Sequence, residues 1–180
     1  MTRAPLIEKD QTAGRDREIF EAIEASRGVP PGGIWRALMN APSIAQKVLG
    51  LADELRHGVE IDKRHRELAA LMVGYCTKCQ YEIDHHWKAA LKAGIHREQL
   101  EALPEFETTD LFDAQERAVL RFAREITLSG KVTAKTWADL GSFHSDKTMI
   151  ELLMTIAWYN AVVRIIMPLE LENEPGFKRE

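Results

Sequence analysis

The sequence predicts an all-α protein, and three observations carry that prediction. Apolar residues recur at helical spacing along most of the chain. Alternating apolar and polar runs, the mark of half-buried strands, are almost absent. Glycine and proline cluster at a few points and cut the periodic stretches into lengths typical of globular helices.

In chain order, Ile19, Phe20 and Ile23 place a first helix over Asp16 to Ala25, which the run Gly28-Val29-Pro30-Pro31-Gly32-Gly33 stops. A short helix over Ile34 to Met39 follows. Ala41-Pro42-Ser43 opens a third, with Pro42 in the first turn, where its missing N–H costs nothing. It runs through Leu49, Leu51 and Leu55 and ends at His57-Gly58. Lys63 to Tyr75 and Thr77 to Ala93 form a central pair, one continuous helix or two, with Gly94 in the stop position. Further helices are expected over Arg97 to Leu103, Ala114 to Leu128, Ala134 to Leu140 and Asp146 to Glu170. Asp146 reads as the N-cap of the last one. Its apolar run contains Glu151, Asn160 and Arg164, which reads as a buried core helix and not a membrane span.

The chain of 180 residues is the usual length of one domain. Residues 1–33 are read as an N-terminal helix and break within that domain, 34–172 as its body and 173–180 as a tail. Hydrophobic residues make up 45% and charged residues 29%, a globular balance that excludes disorder. The net charge of -4 and the scattered Lys and Arg exclude the basic stripe of a nucleic-acid binder. Met1 to Asp10 lacks a signal-peptide core, so a cytoplasmic location is expected, with no membrane partner. Two cysteines without a second cluster do not make a zinc site. Neither a metal nor a cofactor is expected.

The informative stretch is Cys76-Thr77-Lys78-Cys79-Gln80-Tyr81-Glu82-Ile83-Asp84-His85-His86. On a regular helix Cys79, Glu82 and His86 fall within roughly 60° of one another, beside an apolar face of Ile83, Trp87, Ala90 and Leu91. Lys78, His85, Lys88 and Lys92 point away, so His85 is expected to face solvent and His86 to be the working histidine. A thiol, an imidazole and a carboxylate within one turn suit proton transfer or nucleophilic chemistry.

Glu67, Cys79 and His86 resemble the Glu-x11-Cys-x2-Cys-x3-His signature of AhpD-like alkylhydroperoxidases, with Glu82 standing where that signature has its second cysteine. The actual Cys-x-x-Cys, Cys76 and Cys79, lies three residues upstream of register. The string Cys79-Gln80-Tyr81-Glu82 with His86 is more similar to the single-cysteine branch of carboxymuconolactone decarboxylase-like proteins. The likeness extends from Trp35-Arg36-Ala37-Leu38 through Ala93-Gly94-Ile95 and Ala114-Gln115-Glu116-Arg117-Ala118 to Trp158-Tyr159-Asn160 and Arg164. It implies a compact helical bundle with a central helical hairpin carrying the Cys/Glu/His motif. It also implies a homo-oligomer, as a dimer, trimer or hexamer, with the cluster near a subunit contact.

Three functions follow from these residues. The first is acid/base chemistry, decarboxylation or related proton transfer, on a small carboxylated substrate. His86 would move the proton, Glu67 or Glu82 would set its tautomer, and Arg164, Tyr159 and Asn160 would bind the substrate. The second is thiol peroxidase or disulfide chemistry, with Cys79 attacking and Cys76 as the resolving thiol. The third is a non-catalytic oligomeric binding protein. Cys79 is expected to be alkylated faster than Cys76. Oligomerisation is expected because Pro30, Pro31 and Trp35 would leave apolar area exposed on a lone bundle.

Overall fold

The structure, a computed structural model, describes residues 2–179. Among them every regular element is helical, as the periodicity predicts. The chain divides into two compact units. The first holds the residues up to Gly58 together with Arg164–Phe177, the second Val59–Val163 together with the residues from Lys178. In this division the first break follows Gly58, and residues 173–177 go with the first unit.

The first unit contains α1 (Gly14–Arg27), α2 (Gly33–Leu38) and α3 (Pro42–Asp53), followed by a π-helical turn at Glu54–Gly58. Ile19, Phe20 and Ile23 of α1 and Ala45, Leu49 and Ala52 of α3 are its buried face. Gly28 ends α1 in the left-handed region at φ 67°, where a side chain would be strained. Trp35 is buried, with the Arg27 guanidinium 4.6 Å above its ring and that arginine paired to Asp53 at 2.9 Å. The aromatic area expected to drive oligomerisation is thus already covered within this unit.

The second unit is built on α4 (Lys63–Thr77) and α5 (Gln80–Lys92), which form the helical hairpin. The remaining helices there are α6 (Arg97–Ala102), α7 (Ala114–Ser129), α8 (Ala134–Gly141) and the first part of α9 (Asp146–Leu169). Every residue of α4 from Glu67 to Gly74 is buried, including one carboxylate. Asp62 caps α4 by accepting from the Arg64 amide, 2.7 Å away. Lys78 closes it in the left-handed conformation at φ 57°, so the hairpin is two helices. A Cβ on Gly74 would lie 3.0 Å from Ile83 Cγ1, and this close approach is what lets α5 pack onto the end of α4. Arg64 ties α4 to α7 and α6, with Nε 2.5 Å from Glu116 and Nη2 2.8 Å from Gln99.

Two expectations about α9 change. Ser145 caps it, accepting from the Thr148 amide at 3.3 Å, while Asp146 is its first residue. It is long and apolar enough to cross a membrane by length and composition alone, and only 39% of its most apolar stretch is buried, so it is not simply a core helix. Met149, Leu152 and Ile156 pack inward, whereas Ile150 and Met154 are exposed.

Candidate functional site

Helix α4 supplies Arg66 and Glu67, α5 supplies Glu82 and His86, the junction supplies Cys79, and α9 supplies Tyr159. The hairpin register brings Glu67 beside His86, nineteen positions on, with Oε2 2.7 Å from Nδ1. Glu82 lies on the other side of the ring, Oε1 3.1 Å from Nε2 one helical turn away. That second contact is within ion-pairing distance but poorly aligned, and it leaves Glu82 Oε1 buried without a hydrogen bond. Both carboxylates therefore hold the imidazole, one on each nitrogen, where the sequence suggested one or the other. Tyr159 packs edge-on against the same ring, centroids 4.7 Å apart.

Burial alone would lower the pKa of His86. Tyr159, Glu82 and Glu67 together outweigh it and hold the imidazole well above the ordinary histidine range. Burial likewise pushes Glu67 up, but His86 and then Arg66 overcome that and keep its carboxyl below the usual range. Arg66 donates to Glu67 Oε1 from both Nε, at 3.2 Å, and Nη2, at 3.1 Å. The raised pKa of His86 and the lowered one of Glu67 favour an imidazolium paired with the Glu67 carboxylate, with Glu82 on the far side of the ring and the Arg66 guanidinium behind Glu67. Sequence reasoning missed Arg66. Arg66 adjoins Glu67 in sequence, but neighbours on a helix do not face each other, so no spacing rule pairs them.

Cys79 is not inside a regular helix. It is the N-cap residue of α5, and its own amide donates to Gly74 O at 2.9 Å. Burial raises its pKa, the amide of Glu82 lowers it, the Glu82 charge raises it again, and the Tyr81 amide lowers it; the net shift is upward. Cys79 therefore rests as a neutral thiol at a helix N-terminus whose amides favour negative charge. Cys76 is on the last turn of α4, its Sγ 3.6 Å from Met72 Sδ. Burial raises its pKa against the opposing effect of Arg124. Both thiols are free.

The other residues fall elsewhere. His85 is half-buried, not solvent-facing: it stacks on Tyr81, centroids 3.9 Å apart, because that ring lies one turn back on the same helix face. The Asn160 amide donates to Thr127 Oγ1 and Ile156 O, each at 3.0 Å, which directs it toward α7. Arg164 is exposed and belongs to the first unit. Among the described residues no group of three or more His, Cys, Asp or Glu is arranged to hold a metal ion. A cavity of about 450 Å³ lined by Arg64, His96, Gln99, Leu111, Asp113 and Glu116 shares no residue with this cluster.

Access reverses one expectation from sequence. Cys79 is 3% exposed while Cys76 is half-buried. We expect N-ethylmaleimide to label Cys76 before Cys79 in the folded protein, as read by peptide mass spectrometry. Faster labelling at Cys79 would show that its burial is readily opened.

The cluster sits on the α4–α5 hairpin, with His86 of α5 between Glu67 of α4 and Glu82 of its own helix. Residues 42–125, which contain Glu67, Cys79, Glu82 and His86, match the model of the carboxymuconolactone decarboxylase family. No curated protein matches the chain. Among solved structures, the debrominase Bmp8 is 23% identical, with a TM-score of 0.79 over 94% of this chain and 90% of that one. An uncharacterized peroxidase-related protein from Silicibacter sp. TM1040 is 18% identical, with a TM-score of 0.80 over 96% and 90%. A second peroxidase-related protein, described as an alkylhydroperoxidase AhpD core, from Ralstonia eutropha JMP134, is 15% identical, with a TM-score of 0.80 over 96% and 92%. At these identities the likeness shows the shared all-helical fold.

Proposed function

We propose that this chain is an enzyme that reduces a small uncharged electrophile, a hydroperoxide above all, through the thiol of Cys79. The observation that carries the reading is the position of Cys79 at the N-cap of α5, with the Tyr81 and Glu82 amides acting on its sulfur. Glu82 is the acceptor for the thiol proton, and the incipient thiolate is stabilised by the two amides. The sulfur attacks the terminal oxygen of the peroxide, the O–O bond breaks, and the departing alkoxide takes from Glu82 the proton that the thiol gave up. Cys79 leaves this step as a sulfenic acid and the peroxide as an alcohol. Cys76 then attacks that sulfur, forming a disulfide and releasing water, and an external dithiol restores both thiols.

Two further observations support this over decarboxylation. The site's cations, His86 and Arg66, are already matched by Glu82 and Glu67, so a carboxylated substrate would bring an uncompensated buried charge. The left-handed residue Lys78 takes Cys76 and Cys79 out of one continuous helix, which removes the main geometric obstacle to joining them. The debrominase neighbour, with a cysteine replaced by alanine, is known in complex with 2,3,4-tribromopyrrole, an uncharged small molecule. To test the reading, reduced protein is mixed with tert-butyl hydroperoxide. About one equivalent should be consumed per chain, with a Cys76–Cys79 disulfide in the mass spectrum. No consumption, or no disulfide, would count against it.

The reading extends to a homo-oligomer. Exposed Ile150 and Met154 lie one turn apart on α9, with exposed Trp137 and Phe143 nearby in sequence, and these offer the apolar area that Trp35 does not. Light scattering should give a multiple of 20.4 kDa, and Met154→Glu should lower it. A monomer at micromolar concentration would remove the claim.

A further inference from the structure

On α5, two positions beyond Glu82, Asp84 belongs to a second constellation that shares no residue with the thiol cluster. The Arg179 guanidinium lies flat over Trp87, 3.4 Å from the ring centroid. Asp84, with only 12% of its side chain exposed, stands beside it, Oδ1 3.7 Å from Arg179 Nε, and Gln80 steadies that carboxylate with a 2.8 Å bond to Oδ1. Tyr75 stands close by, near enough for the charges of Arg179 and Asp84 to act on its hydroxyl, which donates to Leu100 O at 3.1 Å. An aromatic floor, an acidic wall and a phenol make up the chemistry that recognises organic cations, and planar guanidinium best of all. The resident side chain fills the box imperfectly. Arg179 Nε and Trp87 Nε1 are both buried without a hydrogen bond, so part of what the box and its occupant offer goes unused.

We infer that Tyr75, Asp84 and Trp87 form a binding site for a guanidinium-type cation, which Arg179 of the same chain occupies and masks. The inference does not depend on the chemistry proposed for Cys79. Vacating the box should open it. Arg179→Ala removes a side chain that is 35% exposed and leaves the helices untouched. Methylguanidinium chloride is titrated into the full-length Arg179→Ala protein and into wild type, followed through the Trp87 indole N–H in NMR spectra, assigned with Trp87→Phe. We expect saturable binding to Arg179→Ala, at least about tenfold weaker binding to wild type, and none of methylurea, the uncharged isostere. Asp84→Asn in the Arg179→Ala background should weaken binding by about tenfold or more. Because the methylurea comparison needs no second substitution, the inference stays testable if the double variant folds poorly. Absence of saturable binding in Arg179→Ala, equal binding to wild type, or equal binding of methylurea would each overturn it.

Discussion

Cys79→Ser should lower peroxide turnover by more than about a thousandfold, because a hydroxyl in that position is neither acidic nor polarisable enough to attack an O–O bond. Cys76→Ser should behave differently. Its first turnover should survive, since Cys76 takes no part in the attack, while recycling fails and Cys79 accumulates as a sulfenic acid that dimedone traps. The two variants together separate the chemistries. An enzyme that only moves protons would keep its activity in Cys76→Ser and would form no trappable sulfenic acid. Substantial turnover in Cys79→Ser would end the thiol reading.

His86→Ala should be the most destabilising single change in the cluster. It removes the cation between Glu67 and Glu82 and leaves two buried carboxylates facing each other. Breaking a buried pair in this way costs about 3–5 kcal/mol, which for a chain of this length is a fall in Tm of roughly 10 °C. The pH dependence carries the sign. His86 is raised above 6.5 in the folded protein, so its stabilisation is complete below that value and is lost as pH rises through the raised pKa. Glu67 is depressed below 4.5, so its contribution is present above that value and is lost as pH falls through the depressed pKa. Urea denaturation across this range should show a stability plateau with a loss on the alkaline side that disappears in His86→Ala. Adding Glu67→Gln to His86→Ala should recover part of the loss, since the two sites share one interaction. An unchanged alkaline limb in His86→Ala would mean that the imidazole is neutral in the folded protein. Activity should fall on the order of a hundredfold in the same variant.

The helices, their order and most of their ends were legible in the sequence, because apolar periodicity and the Gly and Pro positions are local signals. Gly28 and Gly94 each stop a helix where their position in the sequence says they should, and each has positive φ. The motif residues were legible as well: Cys79, Glu82 and His86 are close in sequence, and Glu67 came from the resemblance. Helical spacing put His85 in solvent, where it instead stacks on Tyr81 one turn back on the same helix, and it put Cys79 inside α5, which failed for a different reason. The left-handed turn at Lys78 restarts the helix at Gln80, and one non-glycine residue adopting that conformation is not announced by composition.

The sequence by itself determined the all-helical class and put Cys79, Glu82 and His86 forward as a candidate cluster, since both depend on short-range pattern. Only the tertiary structure decided what those side chains are to one another. That His86 is an imidazolium held on both nitrogens depends on Glu67 arriving from another helix. That Arg66 belongs to the site depends on how far two long side chains reach around α4. Exposure of Arg164, and the seat of Arg179 on Trp87, depend on packing at far larger separations. Charge state and partnership are set by distance and burial in three dimensions, and local periodicity carries no information about either.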